Sequence, residues 1–562
     1  MIFRKNIFIV STIYFVAAII LFPYLRYYID NPDSFSYISI SEKYANGNFS
    51  EAINGYWSPL ICWLLAIPVK LKVDAIVAFK ILQLLIGWFA LLQWLVLAGK
   101  ILQKNFLRLV VSVFIIPFLL SWSLLYLTAD LLLLTVLLLY LNFVCETNYF
   151  NKKNSVIVFV FGIIGTTLYF SKSFGFVFFI LHFSTITVLL FFKSTSPSGR
   201  QLLKNYTGVI VVFLFLSGVW SLLLSKKYHH FTIGETPAFN LSREVAITQT
   251  QERTARLLVL SGGLHAPPTK AAVAAWEDPV RAIGYTRLRP LSSTSDFHLY
   301  KNLLKRNFLT IYFDDFRRQA GTLFILALVL FLVFSPQRKR LFSFPLAPLL
   351  LTIILFYGLY GLVLVHSRYV WVCTLLMVLL TVYFIEALMQ QSTSTLAKIF
   401  FRIFIAVVLL LAAKRPFKEI FFAQDTESSI KDISSVLICP QRQLDETYAI
   451  DKMQAEAADS LKKIIEPQAA IASIKENFSK RDNYARSSLI AYKSGAKYFG
   501  QIQKNELISN KMRDALNQFQ IKYILLWNND SLSGNTPINQ KRIYANEKIP
   551  LQVFELSTTL KP

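Results

Sequence analysis

The sequence begins with MIFRKNIFIVSTIYFVAAIILFPY (Met1–Tyr24), and this stretch decides the fold class. Two basic residues, Arg4 and Lys5, precede an apolar run that is long enough to cross about 30 Å of hydrocarbon as a helix. No small-x-small cleavage site follows, so we interpret the stretch as an uncleaved first membrane span. Similar apolar runs recur along the chain, which predicts an α-helical multi-pass membrane protein.

The overall composition points to the same class. The chain has 562 residues, is 54% hydrophobic and has a mean hydropathy of +0.48, which is too apolar for an ordinary soluble protein. The net charge of +25 lies mainly in short loops between the apolar runs, where it orients the spans, so we expect no nucleic-acid partner. The four cysteines are far apart and form no C-x-x-C pair, which indicates neither a zinc site nor a disulfide framework.

The length rule predicts about eleven spans. They lie at 6–24, 75–98, 107–126, 129–145, 155–171, 173–192, 207–225, 319–334, 345–365, 369–388 and 398–413. A shorter apolar stretch at 60–71 is predicted to lie at the membrane interface or to re-enter the membrane.

The positive-inside rule orients these spans in a cytoplasmic (inner) membrane. With the N-terminus in the cytoplasm, every following cytoplasmic loop is basic, through Lys100, Lys104, Arg108, Lys152, Lys153, Lys193, Arg200, Lys204, Arg338, Lys339, Arg340, Lys398 and Arg402. The opposite, outer face then carries long loops at about 24–74 and 226–318, several tight turns and a polar tail. Polar residues therefore concentrate on the outer face, where we expect the chemistry.

The tail after Lys414 differs in composition from the rest of the chain. Short apolar runs (ISSVLI, AAIAS, IKYILLW and LQVFEL) alternate with helix-like segments (AEAADSLKKII and NELISNKMRDALNQF). This alternation predicts a small extracytoplasmic α/β domain over 415–562, beside a transmembrane module over 1–414. No G-x-G-x-x-G follows a strand, so the tail gives no sign of a nucleotide site.

Two aspartates stand at predicted helix starts on the outer face. Asp33 follows Asn-Pro and precedes a helical segment, so it either caps that helix or acts as a general base. Asp130, in Leu-Thr-Ala-Asp, either caps a span or is a second acidic group that faces the same pocket. The residues leave both choices open.

Cations occupy two tight turns on the same face. Lys172 lies between two spans, and His366 and Arg368 lie in a second turn, Val-His-Ser-Arg-Tyr-Val. A single cation of this kind is most simply a side chain that snorkels to the interface. Two such turns facing a loop with a lone carboxylate suggest a site for an anionic lipid headgroup, since arginine binds phosphate through two parallel hydrogen bonds. Histidines elsewhere in the large outer loop fit no metal motif.

The order of these motifs resembles a known superfamily. A span is followed by Asp-x-x-x-Tyr (Asp33–Tyr37), Tyr-Ala-x-Gly and Asn-Gly-Tyr-Trp-Ser-Pro, then by Leu-Thr-Ala-Asp, a Lys-Ser turn and a Ser-Arg-Tyr turn. Over about 1–414 this order is similar to GT-C membrane glycosyltransferases, in particular the relatives of protein O-mannosyltransferases and aminoarabinose (lipid A) transferases.

The resemblance implies an activity and a set of roles. The chain would transfer a sugar from a polyprenyl-phosphate donor, with inversion, to a glycolipid, polysaccharide or protein acceptor at the outer face. Its membrane lipids and this donor would be its partners. The implied roles are Asp33 as the catalytic base, Asp130 as a supporting acid, Lys172, Arg368 and His366 at the donor phosphate, and Tyr37 and Trp57 in the substrate pocket.

The chain departs from the superfamily pattern at two places, and other functions are also compatible with its sequence. Aminoarabinose transferases usually carry Lys-Pro-Pro after the first loop, where this chain has Trp57-Ser58-Pro59, and Ser34 stands where a second adjacent acid could follow Asp33. The chemistry requires no cofactor, although a divalent cation (Mg²⁺ or Mn²⁺) is compatible with it. The alternatives are a polymerase or ligase that acts on lipid-linked glycans, a polytopic transporter and a scaffold.

Overall fold

The computed structural model describes residues 2–29, 31–146, 155–192, 198–249, 263–317, 321–342, 344–422, 439–475, 483–503, 506, 509–527, 540–546 and 548–556. These residues form a largely helical chain with one six-stranded sheet near the carboxyl end. The basic residues Lys152, Lys153 and Lys193 and the run ISSVLI lie outside the described residues.

The apolar runs of the first part of the chain form helices, because a helix satisfies every backbone hydrogen bond within the segment and so tolerates hydrocarbon. The elements are α1 (Ile2–Leu25), α2 (Asp33–Ala45), α3 (Phe49–Ala52), α4 (Pro59–Lys70), α5 (Ala75–Ile101), α6 (Asn105–Phe114), α7 (Ile116–Leu125), α8 (Asp130–Val144), α9 (Ser155–Ser171), α10 (Phe174–Phe191) and α11 (Ser198–Tyr228).

The second part combines outer-loop helices with further spans. It contains α12 (Thr236–Gln249), α13 (Pro279–Ala282), α14 (Thr294–Thr310), α15 (Gly321–Phe334), α16 (Leu346–Gly361), α17 (Trp371–Gln391) and α18 (Thr395–Phe422). Shorter elements are the 3-10 helices Ala275–Glu277, Pro336–Phe342 and Ser367–Val370 and the π-helix Ile311–Arg317.

The prediction of a multi-pass helical membrane protein is confirmed. Among the described residues, seven helices are long and apolar enough to cross a membrane, or eight if the bent pair Pro336–Phe342 and Leu346–Gly361 forms one span. The predicted spans 129–145, 155–171 and 319–334 correspond to α8, α9 and α15, apolar helices of 15, 17 and 14 residues. The predicted interfacial stretch is the short helix α4.

Side-chain exposure separates lipid-facing helices from the centre of the bundle. Large apolar side chains on α1 and α11 are exposed, among them Phe8 (72%) and Phe215 (71%). Apolar surface of this extent needs a hydrocarbon environment. The most apolar window of α17, in contrast, is fully buried, so α17 lies inside the bundle.

The carboxyl-terminal region is an α/β domain, as predicted. Its strands are β2 (Ala470–Lys475), β3 (Lys497–Gln503), β4 (Ile521–Leu526), β5 (Gln540–Asn546) and β6 (Leu551–Leu556), and its helices are α19 (Pro440–Leu461), α20 (Asn483–Ser494) and α21 (Asn510–Gln518). With a further strand, β1 (Gly263–Leu264), the sheet order is β1-β3-β2-β4-β6-β5, and β2 pairs in parallel with β3 and with β4. Helices α20 and α21 are the crossovers that such parallel pairing requires.

One strand of this sheet comes from elsewhere in the chain. Strand β1 (Gly263–Leu264) belongs to the large outer loop and pairs antiparallel with β3. No local sequence pattern predicts this pairing. The domain also touches the first outer loop, since Tyr492 Oη of α20 donates to Glu42 Oε1 of α2 at 2.6 Å. The predicted boundary at Lys414 falls within the continuous helix α18.

Candidate active site

Asp33 is the first residue of α2, and it is buried, with 6% of its surface exposed. Pro32 occupies the N-cap position, and its side chain makes no capping hydrogen bond. Asn31 Oδ1 instead accepts a hydrogen bond from the Asp33 backbone N–H at 2.9 Å. The capping interpretation of Asp33 is therefore wrong, and its carboxylate is available to other groups.

Two donors from distant parts of the sequence hold this carboxylate. Trp276 Nε1 donates to Oδ1 at 3.0 Å, and Arg368 Nη2 donates to Oδ2. Trp276 lies in the 3-10 helix of the large outer loop, and Arg368 lies in the 3-10 helix before α17. Hydrogen bonds to an ionised carboxylate are among the stronger ones in proteins, so these two donors fix its orientation.

Asp130 does not cap its helix either. It is the first residue of α8, and no side chain caps that helix. Lys172 Nζ donates to Asp130 Oδ1 at 2.5 Å, and Thr128 Oγ1 donates to Oδ2 at 2.8 Å. The Arg368 Nε atom lies 3.5 Å from Asp130 Oδ2. Arg368 thus bridges the two aspartates, which the planar guanidinium can do because its N–H groups point in different directions.

The four charged groups form one compact cluster, which we call the charge cluster: Asp33, Asp130, Lys172 and Arg368. Two carboxylates face two cations, so the formal charge of the cluster is zero. Lys172 Nζ also lies 3.5 Å from the centre of the Tyr369 ring, a cation–π contact. The helix ends that carry these residues therefore meet on a single face of the bundle.

His366 lies at the edge of the charge cluster. It is the N-cap of the 3-10 helix Ser367–Val370, where its Nδ1 accepts a hydrogen bond from the Arg368 backbone N–H at 3.4 Å. By surface area, the side chain is exposed. Desolvation by neighbouring protein atoms and the nearby Arg368 charge lower the pKa of His366. At neutral pH, His366 is accordingly an uncharged imidazole.

Tyr37 and Trp57 are buried beside the charge cluster, with 5% and 8% of their surfaces exposed. Their rings pack edge to face with centres 5.1 Å apart. Trp57 Nε1 donates to the Trp276 backbone carbonyl at 3.1 Å, so its polar atom is used within the protein. The two aromatic residues therefore stabilise the wall behind Asp33.

Sequence reasoning did not connect Trp276 with Asp33. Trp276 belongs to the motif Trp-Glu-Asp-Pro (Trp276–Pro279) of the large outer loop, and 243 positions separate it from Asp33. The useful signal was a tryptophan beside two acids in a loop on the same face as the aspartate. Tyr369 was likewise visible in Ser-Arg-Tyr, but its stacking under Lys172 depends on tertiary structure.

No metal-binding group is evident within the described ranges. Among these residues, no three His, Cys, Asp or Glu side chains lie close enough together to share an ion. Asp33 and Asp130 are the carboxylates of the charge cluster, and both are already paired with cations.

Comparisons with known proteins agree with this architecture. No protein-family model matches the sequence, and a search of curated proteins found no match. Among solved structures, the chain is similar to ArnT from Cupriavidus metallidurans bound to undecaprenyl phosphate, with a TM-score of 0.53, 12% identity and coverage of 98% of this chain and 99% of ArnT. It is also similar to ArnT in the apo state, with a TM-score of 0.52, 13% identity and coverage of 98% of both chains.

At such low identity, the likeness establishes the fold. It extends over nearly the whole of both chains, so it includes the carboxyl-terminal α/β domain as well as the membrane helices. The chain therefore has the fold of these ArnT structures, from its first membrane helix to its carboxyl-terminal domain.

Proposed function

We propose that this chain is a glycosyltransferase that moves a sugar from a polyprenyl-phosphate donor to an acceptor, with inversion and with Asp33 as the general base. The reaction would take place at the outer face of the cytoplasmic membrane. The fold supports this proposal, and the structure of one ArnT with this fold is described as bound to undecaprenyl phosphate.

The charge cluster is the observation that carries the proposal. It gathers two cations and two carboxylates at the ends of several helices. A sugar phosphate ester needs cations near its phosphate, because negative charge grows on the leaving oxygen as the bond to the sugar breaks. Lys172 and Arg368 would provide these cations.

Donor binding would change the pairing within the charge cluster. Both cations now face carboxylates, so a phosphate that binds Lys172 and Arg368 competes with Asp130 and Asp33 for them. Arg368 is suited to such an exchange, since its fork binds phosphate in the same manner as carboxylate. When the phosphate binds the Arg368 guanidinium, the Asp33 carboxylate is released from Arg368 and can accept a proton.

The reaction then balances as one displacement. The acceptor oxygen forms a bond to the anomeric carbon while its proton moves to Asp33, and the bond between that carbon and the phosphate oxygen breaks. The electron pair leaves with polyprenyl phosphate. A single displacement inverts the anomeric configuration. Asp130, which is held by Lys172 and Thr128, would orient the Lys172 ammonium.

Purified protein and isolated membranes provide a direct test. Membranes from a strain that lacks the protein would contain any donor that it normally consumes. Wild-type protein added to them should convert a sugar-linked polyprenyl phosphate into an equal amount of free polyprenyl phosphate, measured by mass spectrometry. Asp33→Asn should not convert it. If wild-type protein leaves every polyprenyl-phosphate sugar unchanged, the proposal fails, and a transporter or scaffold accounts better for the fold.

A polymerase or ligase of lipid-linked glycans remains the closest alternative. It would also release a polyprenyl lipid, but its donor would be an oligosaccharide or a polymer. The mass of the lipid consumed in the same experiment separates the two activities.

A further inference from the structure

The segment of the large outer loop from Gly263 to Pro279, which we call the strap, connects two parts of the molecule. Its first part belongs to the sheet of the carboxyl-terminal domain. β1 pairs with β3, and the His265 backbone N–H donates to the Phe499 carbonyl at 2.8 Å. Farther along, the Tyr498 backbone N–H donates to the Val273 carbonyl at 2.8 Å. The strap therefore runs along the edge of the sheet.

The second part of the strap is anchored to the first outer loop by buried polar contacts. Glu277 is 3% exposed, and its carboxylate pairs with Lys43 of α2 and accepts a hydrogen bond from Ser39 Oγ at 2.5 Å. Its backbone carbonyl accepts from Asn54 Nδ2 at 2.7 Å. A buried charge is tolerated when it is paired and hydrogen-bonded in this way. Glu277 therefore holds the strap against α2, the helix that begins with Asp33.

Hydrogen bonds to Trp276 and to the neighbouring Asp278 fix the backbone around Trp276. Its carbonyl accepts hydrogen bonds from Trp57 Nε1 at 3.1 Å and from Ser36 Oγ at 3.2 Å. On the other side of Glu277, Asp278 accepts from Tyr228 Oη at 3.0 Å and lies 3.3 Å from Lys227 Nζ. These contacts leave the indole of Trp276 with little freedom, and its N–H points at Asp33 Oδ1.

We propose that Trp276 is a positioning residue for the catalytic carboxylate, and that the carboxyl-terminal domain supports it through the strap. This inference rests on the proposed function. The indole N–H holds Oδ1, and Arg368 holds Oδ2. When a donor phosphate takes Arg368, the Trp276 hydrogen bond is the contact that keeps the carboxylate in place, and a misplaced base loses much of its effect.

Because the strap packs closely against the sheet, a substitution in β3 can displace the strap without altering the charge cluster. Gly500 of β3 has a φ of +123°, and a Cβ there would lie 2.8 Å from the Gly263 carbonyl oxygen. Gly500→Ala therefore pushes β1 away from β3. Gly495 of the same domain has a φ of +71°, and a Cβ there would meet Pro467 at an ordinary 3.8 Å. Gly495→Ala thus imposes similar backbone strain without touching the strap.

The first measurement uses Trp276→Phe, which keeps an aromatic ring and removes the N–H. Purified full-length protein is added to membranes of the deletion strain, and consumption of the accumulated polyprenyl-phosphate sugar is followed at several membrane dilutions. We expect the saturated rate to fall about ten- to a hundredfold, as for a lost hydrogen bond to a charged group. The half-saturating dilution should not change, because the indole N–H contacts the carboxylate and not the donor.

The second measurement compares Gly500→Ala with Gly495→Ala by the same assay and by hydrogen exchange. Gly500→Ala should slow turnover and raise amide exchange in 272–279 and at the start of α2, whereas Gly495→Ala should do neither. Hydrogen exchange needs no substrate, so this readout remains informative if the proposed function fails. A wild-type saturated rate in Trp276→Phe would overturn the positioning role, and unchanged exchange in Gly500→Ala would overturn the support by the domain.

Discussion

Replacing Asp130 by asparagine tests the charge balance of the site. The charge cluster is formally neutral, and Asp130 neutralises Lys172 at 2.5 Å and approaches Arg368 at 3.5 Å. A bound phosphate therefore meets cations that are already paired. Asp130→Asn removes one negative charge and keeps the shape of the side chain, which leaves the cluster with an excess positive charge.

The expected change in the free energy of phosphate binding follows from Coulomb's law. Two unit charges about 5 Å apart repel each other by about 3 kcal/mol at an effective dielectric constant of about 20. Asp130→Asn removes this repulsion between residue 130 and the phosphate. Part of the gain in binding free energy is lost, because Lys172 also loses the partner that orients it. We therefore expect undecaprenyl phosphate to bind roughly tenfold more tightly, about 1.4 kcal/mol.

The assay is titration of purified protein in detergent with undecaprenyl phosphate, followed by native mass spectrometry or by intrinsic tryptophan fluorescence. Glu146→Gln is the matched control, because it removes one carboxylate that pairs with Lys100 at 3.1 Å, outside the charge cluster. Weaker or unchanged binding in Asp130→Asn, with normal binding in the control, would refute competition between phosphate and Asp130. It would favour a role for Asp130 in shaping the site.

Three further predictions concern residues around the same site. Arg368→Lys should weaken undecaprenyl phosphate binding about tenfold or more, because lysine loses the fork that bridges two acceptors; equal affinity would remove Arg368 from the phosphate site. Lys43→Met should lower the thermal denaturation midpoint in detergent, since a buried carboxylate without its partner costs about 3 kcal/mol or more, and the double variant with Glu277→Gln should recover most of the loss. His366→Gln should leave the pH dependence of undecaprenyl phosphate binding unchanged between about pH 6 and pH 8, because the lowered pKa keeps the imidazole uncharged there. A protonated imidazole at the phosphate would instead make binding to the wild type tighten as the pH falls.

The membrane architecture was predictable because lipid imposes a simple rule. Apolar runs of spanning length must be helical, and basic loops orient them, so the helix ends that carry Asp33, Asp130, Lys172 and Arg368 could be assigned to one face. The order of their motifs also indicated the fold that the structure shares with the ArnT structures. Span length was less predictable, since α8, α9 and α15 are shorter than a full crossing.

The pairing within the site could not be predicted in the same way. The Arg368 bridge between two aspartates and the Trp276 hydrogen bond join segments that are hundreds of positions apart, and no local pattern encodes such contacts. The same holds for β1, a two-residue strand in the outer loop that becomes the edge of the carboxyl-terminal sheet. In Asp33, local capping chemistry was in fact misleading, because Pro32 takes the cap position.

The most direct test of the central claim is mass spectrometry of membrane lipids from a strain that lacks this protein, complemented with wild type, Asp33→Asn or Asp296→Asn. Asp296 is a half-buried aspartate of the same predicted outer face, outside the charge cluster, and serves as the matched control. A sugar-linked polyprenyl phosphate that accumulates in the null and Asp33→Asn strains, and disappears with wild type and Asp296→Asn, is the predicted result. Identical polyprenyl-lipid profiles in all four strains would contradict a lipid-linked sugar transferase with Asp33 as its base.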